Sequence, residues 1–425
     1  MKKILLTFCL VHLIFNIQAQ NVNFQDINFK NRLILFGYDT NNNNQIEIIE
    51  AQAVTSINAV GSNITSLIGI EAFINLKTLY CNVNQLTSLD LSKNTELTEL
   101  NCSGNQLSVI DLSKNLKLND LTISSNLLST LDLTANTKLT SLDCRANNIS
   151  NLKITNSLNL STLDCSENKL PTLDISKNTA LTKINCQNNL TKSIDISFNT
   201  IVSFFDCSNN MLSTLDVTKN SALTYLTCTN NTLTSLNINN NKLLSNLNFS
   251  DNKINSITLA NNTNIFSINC QNNLLETLDI LQNTNLYRLI CDHNNLQSIY
   301  LPHGSVLTYI DCTYNKLNNL DVSGEINLGV GKGSYFNCSN NQNLTQICIN
   351  DVQATTSWIK DPTAAWSKNC ITTGLIDESN KLAPQVVNTF NLLGQVVKPE
   401  EVEEGKLYLY QYSDGSTKKM VKLNK

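Results

Sequence analysis

Charge is what this sequence has least of. Only 15% of its 425 residues are Asp, Glu, Lys or Arg, and the formal net charge is −4. No run of Lys or Arg is long enough to grip a phosphate backbone, which argues against nucleic acid as a partner. Histidine is scarce as well: of three in the chain, only His293 and His303 lie beyond the N-terminal apolar run. No nucleophile–base pattern, H-E-x-x-H helix or phosphate-cradling glycine loop accompanies them. The chain is therefore expected to be no enzyme and to require no cofactor. Long hydrophobic runs are also missing. The one that exists, Ile4 to Ile17, follows Met1-Lys2-Lys3 and precedes Gln18-Ala19-Gln20. That order describes a secretory signal peptide cleaved after Ala19. No later run is long enough to span a bilayer. The expectation is an exported protein without a transmembrane segment, secreted or held at the outer-membrane surface and kept soluble by amides and hydroxyls.

What is present is repetition. A 21-residue unit recurs in strict register twelve times from Leu76 to about Val322. The unit beginning at Leu97 reads LTELNCSGNQLSVIDLSKNLK. Leu100 and Cys102 alternate with Asn101, and Ile110 and Leu112 alternate around Asp111. A period of two places each apolar pair on one side of an extended segment. Two short strands per coil are expected, on opposite walls. Each corner carries an asparagine. One column runs from Asn84 to Asn315, and a second, from Asn94 to Asn283, is interrupted by Ser157. Stacked amides there satisfy backbone groups that have no strand partner.

The pattern L-x-x-L-x-C-x-x-N-x-L resembles the leucine-rich-repeat consensus, with Cys in one leucine position. The resemblance implies a β-rich, right-handed solenoid with parallel sheets. At roughly 4.8 Å per coil, twelve coils make a body about 58 Å long. Ten cysteines from Cys81 to Cys312 share one column, and Ile123 and Phe249 fill it in the other two coils. A slot that accepts Ile and Phe is a core slot, where free Cys acts as a small hydrophobe. Strand spacing of about 4.8 Å also exceeds the roughly 3.8 Å between β-carbons that a disulfide prefers.

Different chemistry flanks the array. Asp39-Thr40-Asn41-Asn42-Asn43-Asn44-Gln45-Ile46-Glu47-Ile48-Ile49-Glu50 resembles an EF-hand calcium loop. The resemblance implies ligands from Asp39, Asn41, Asn43, Glu47 and Glu50, with the Gln45 carbonyl. Asn44 stands where such loops carry Gly, and three carboxylates imply weak binding. Read without the resemblance, the segment is a polar, Asn-rich turn. At the other end Cys348 and Cys370 bracket both tryptophans, Trp358 and Trp366. A Cys348–Cys370 disulfide is expected to close a cap over the open core. The tail holds Asn391-Leu392-Leu393-Gly394-Gln395, Gly405 to Tyr410 and the turn Ser413-Asp414-Gly415. It resembles the C-terminal sorting domain of type IX secretion cargo in Bacteroidetes, though without the usual Pro-Asn-Pro opening. That likeness implies passage across the outer membrane by the type IX machinery.

The resulting organisation is a signal peptide (1–19), a helical N-terminal cap with the EF-hand-like loop and an atypical first coil (20–75), and twelve repeats (76–327). A divergent repeat with the stapled cap (328–371) and a linker with a small sorting β-module (372–425) follow. Asp90, Asp111, Asp132, Asp174, Asp195, Asp216, Asp279 and Asp321 form a carboxylate column on the second wall. Equivalent carboxylates in one environment do not supply an acid and a base. Rings appear at outward positions of the first wall from the seventh coil: Phe204, Tyr225, Phe266, Tyr287, Tyr309 and Tyr314, with Arg288 nearby. Exposed aromatics and Arg suit an interface centre or a sugar-stacking platform. The reading is a surface or secreted recognition protein that binds a protein or a glycan. The alternatives are a component of extracellular polysaccharide degradation and a passive structural surface protein.

Overall fold

Each 21-residue unit closes one turn because its apolar side chains come in two short bursts separated by polar corners. A computed structural model describes residues 20–368 apart from 303, 326, 329–332 and 351–356. In the C-terminal segment it describes four strands, Val386–Phe390, Val396–Val397, Leu407–Tyr412 and Thr417–Val421. The expected signal peptide and Cys370 lie outside these residues, as do Asn391 to Gln395, Gly405, Lys406 and Ser413 to Gly415, the residues that carry the sorting-domain resemblance.

Residues 1–368 form one unit and 369–425 another. The first is a β-solenoid whose main wall is a fourteen-stranded parallel sheet. It runs from Ser56–Asn58 to Tyr335–Asn337, each strand paired with its counterpart in the next coil. In the coil of Glu99–Asn101 the central Leu100 is buried and its neighbours are half-exposed. The strands of the second unit form an antiparallel sheet. Among the described residues no helix is long and apolar enough to cross a membrane.

The second wall departs from expectation. Among the described residues regular strands form there only at Thr130–Asp132, Asn151–Lys153, Thr277–Asp279, Ser298–Tyr300, Asn319–Asp321, Gln346–Cys348 and Ala365–Ser367. Elsewhere the same stretch passes into its turn without a regular strand. Asp90 accepts the Ser92 N–H (2.9 Å) and Asp111 the Ser113 N–H (2.8 Å), and the other aspartates of the column do likewise. The carboxylate column closes corners by Asx turns, and Asp132, Asp279 and Asp321 make the same turn at the ends of regular strands.

Asparagine amides join coil to coil. Asn105 donates to the carbonyls of Cys102 and Cys81, and its Oδ1 accepts the Leu86 N–H (3.0 Å). The second column donates likewise, Asn115 to the carbonyls of Leu91 and Asn94. Glu325 occupies this second column at its C-terminal end. It is 3% exposed and accepts the Ser305 hydroxyl. Burial, reinforced by Asp321, pushes its carboxyl up to about 7 against the Ser305 bond.

The caps differ in kind. Helix α1 (Ile27–Leu35) buries Phe29 and Leu33. Asp26 caps it through Oδ1, and its Oδ2 accepts the N–H (2.6 Å) and hydroxyl (2.7 Å) of Thr65, tying the helix to the first coil. At the far end Trp358 packs on Phe336 (4.7 Å between centroids) and on Trp366 (5.7 Å).

One turn position is left-handed in every coil, with φ of 50–60° from Val83 to Tyr314. Gly104, Asn188 or Asn209 suits it, but the β-branched Val83 does not. Because Val83 is 62% exposed, Val83→Gly loses little packing. It is expected to raise the free energy of unfolding by about 1 kcal/mol in urea melts. Glu325 gives a pH-dependent expectation. A folded-state pKa above the ordinary carboxyl value of 4.5 means its contribution is complete below that pH and is lost as pH rises through about 7. Glu325→Gln should therefore match the parent in thermal melts near pH 4.5 and melt higher above about pH 8.

Candidate recognition face

The strands of the main wall set their outward side chains in columns, because parallel pairing without slippage places equivalent residues side by side. One column reads Phe204, Tyr225, Asn246, Ser267, Arg288, Tyr309 and Tyr335 in consecutive pairing. Its flat groups stack along the array. Phe204 lies on Tyr225 (4.5 Å, 10°) and Tyr309 on Tyr335 (4.9 Å, 24°). The Arg288 guanidinium covers the Tyr309 ring at 4.0 Å. Stacking and cation–π contact hold these groups in one orientation before any partner arrives.

The expected residues do not all fall together. Phe266 and Tyr287 stack (5.0 Å, 3°) in a neighbouring column, one residue before the strand position. Tyr314 is not on the strand face. It occupies the left-handed turn position (φ 53°) and stacks there on His293 (4.3 Å). Its backbone turns away just after the strand, so the period-two reading does not extend to it. Tyr335 was missed because five extra residues separate its coil from the preceding one. The signal was available: Tyr335 precedes Cys338 by the same three residues as Tyr309 precedes Cys312.

Towards the N-terminal coils the face is acidic and polar. Tyr80 donates to Glu99 (2.5 Å), and Arg145 reaches Asp143 (3.5 Å) and Asp164 (4.0 Å). Desolvation holds the Asp143 and Asp206 carboxyls above the usual range.

Behind the face stands the thiol column. Among the described residues eleven cysteines are free and buried, Cys338 included. Burial pushes the thiols of Cys81 and Cys228 up to about 12, so they stay protonated and unreactive. Several donate weakly to the next coil, as Cys186 does to the Asp206 carbonyl (3.4 Å). Cys348 is not one of the free thiols, and its expected partner Cys370 lies outside the described residues.

The EF-hand-like loop joins α1 to helix α2 (Ile48–Ala53). Asp39, Glu47 and Glu50 are 6%, 4% and 7% exposed, and none makes an ion pair among the described residues. Asp39 accepts the N–H groups of Asn43 (3.1 Å) and Asn44 (2.8 Å), and Asn44 is left-handed as the loop requires. Asn41 and Asn43 donate to Glu47 (3.0 and 2.7 Å), and Glu50 accepts the Thr40 N–H (2.7 Å). The Gln45 side chain takes Lys30 (2.8 Å). Internal hydrogen bonds thus satisfy the loop, and no group of three or more His, Cys, Asp or Glu among the described residues is gathered to hold a metal.

The architecture is that of a leucine-rich-repeat solenoid. No family model and no curated protein matches the chain. Solved structures do. The functional domain of InlJ from Listeria monocytogenes, which includes a cysteine ladder, superposes with a TM-score of 0.67 at 24% identity, over 95% of this chain and 98% of that one. The internalin InlF of the same species gives 0.62 at 20% identity, over 83% and 98%. The plant receptor RGFR1, solved in complex with RGF2 and described as a peptide hormone receptor, gives 0.60 at 16% identity, over 76% and 61%. At these identities the likeness is one of fold.

Proposed function

We propose that this chain is a recognition or adhesion protein that works outside the producing cell and binds a protein or glycan through the Phe204–Tyr335 face. The observation that carries this reading is the ordered ring column. Three stacked ring pairs and an Arg–Tyr contact stand on the solvent side of a wall whose core is already complete. Rings that the core does not need, fixed in place at little further entropic cost, are what interface centres use. A peptide-hormone receptor and internalins of the same fold support a binding role. The N-terminal leader and the sorting-domain likeness of the tail support export by the type IX route. Replacing Tyr225, Tyr287 and Tyr309 together with Ala should weaken capture of partners by the mature protein at least about tenfold, measured by glycan array and surface-protein pull-down. Capture unchanged in the triple variant would refute the reading.

We also propose that calcium, bound weakly, replaces the internal hydrogen bonds of the loop Asp39 to Glu50 and stiffens the N-terminal cap. Asp39, Asn41, Asn43, Glu47, Glu50 and the Gln45 carbonyl would hold the ion, which supplies positive charge to three buried carboxylates. Calcium at about 1 mM should raise the melting temperature by a few degrees over a chelated sample, and Asp39→Ala should abolish the difference. Identical melts with and without calcium would dismiss the site.

A further inference from the structure

The ring column is interrupted, and the interruption has the chemistry of a site. Between Tyr225 and Arg288 the column carries only Asn246 and Ser267. Three strand spacings separate the bounding groups, about 14 Å, of which about 11 Å stays open after the half-thickness of each. The result is a notch of about 260 Å³. The free face of the Tyr225 ring forms one end wall, and the guanidinium on Tyr309 forms the other. Phe266 and Tyr287 stack in the adjoining column, one residue before Ser267 and Arg288, and do not line the notch. Asn248 and Asn269 line the notch on the opposite side of the column.

Several polar atoms of this notch are uncommitted, although Asn246 Nδ2 donates to the Ser245 hydroxyl (3.3 Å). Asn248 and Asn269 use Oδ1 on the backbone N–H groups of Ser250 and Gln271, which leaves each Nδ2 without a partner among the described residues. The Asn246 Oδ1, the Ser267 hydroxyl and the Arg288 guanidinium likewise have no hydrogen-bond partner among the described residues. Arg288 also lacks an ion pair there. The notch thus offers several donors and acceptors beside flat apolar faces. An aromatic or aliphatic side chain from a protein partner would cover those amides without satisfying them, which is costly. A pyranose meets both demands, because its C–H face stacks on a ring while each hydroxyl both donates and accepts.

We propose that the notch between Tyr225 and Arg288 is a carbohydrate subsite. It takes one pyranose of a polysaccharide on the Tyr225 ring, with hydroxyls on Asn246, Asn248, Ser267 and Asn269 and the linkage to its neighbour running past Arg288. This rests on the reading of the face as a binding surface and names its ligand class.

Affinity gel electrophoresis of the mature chain tests it, with soluble xyloglucan, mannan, polygalacturonate and glycol chitosan as separate probes. At least one should retard the parent. Ser267→Tyr, an outward substitution that fills the notch, should abolish that retardation while leaving the melting temperature unchanged. Tyr225→Ala should weaken it about tenfold, and Tyr314→Ala, outside the notch, should leave it intact. Retardation by none of the four probes, or retardation that survives Ser267→Tyr, overturns the proposal. If instead a protein partner is captured and lost in the triple-ring variant while no glycan binds, the carbohydrate assignment falls and the face reading stands.

Discussion

The structure depends on one interaction, the side-chain amide that spans two coils. A solenoid corner leaves peptide groups that neither wall can pair, and burying them unpaired would cost more than the core returns. Asn105 meets that demand with a donor to its own coil, a donor to the coil before and an acceptor for a third backbone group. Such bonds fix rise and register together. The exact repetition of side-chain columns follows from them, and so does the meaning of any departure from repetition.

Inside, the columns are permissive. Cys, Ile123 and Phe249 occupy one slot with no loss of burial, so the thiol column belongs to packing. Its protonated thiols lie where oxidants do not reach. The second Asn column also accepts Ser157, and Glu325 shows how the pattern can fray. A carboxyl in place of an amide at the end of the ladder keeps the backbone pairing but brings an ionisable group into a dry corner.

Outside, the same registry makes surface chemistry additive. A ring on one coil lies next to whatever the following coil places at that position, so a run of flat groups becomes a stack and a pair of short residues becomes a notch. Phe204 and Tyr225, Arg288, Tyr309 and Tyr335 are ordered by each other rather than by the core. Recognition of this kind needs no loop, no cofactor and no moving part.

Much of this was legible in the sequence. The 21-residue period, the Asn and Cys columns, the outward rings and the helical cap follow from spacing, because a translational repeat makes local pattern and tertiary contact the same thing. Other features belong to the tertiary structure. The carboxylate column reads as a charged stripe until its Asx turns are seen. Tyr314 reads as a strand residue until the left-handed turn moves it to a corner. Tyr335 is hidden by an insertion that the coil stacking absorbs. The notch is not a motif at all, since its residues lie at least 21 apart in their column and each is unremarkable alone. Sequence determined which side chains face the solvent, because alternation along a strand is local. Only the stacking of coils decided which of them share a column, because that depends on how each turn returns.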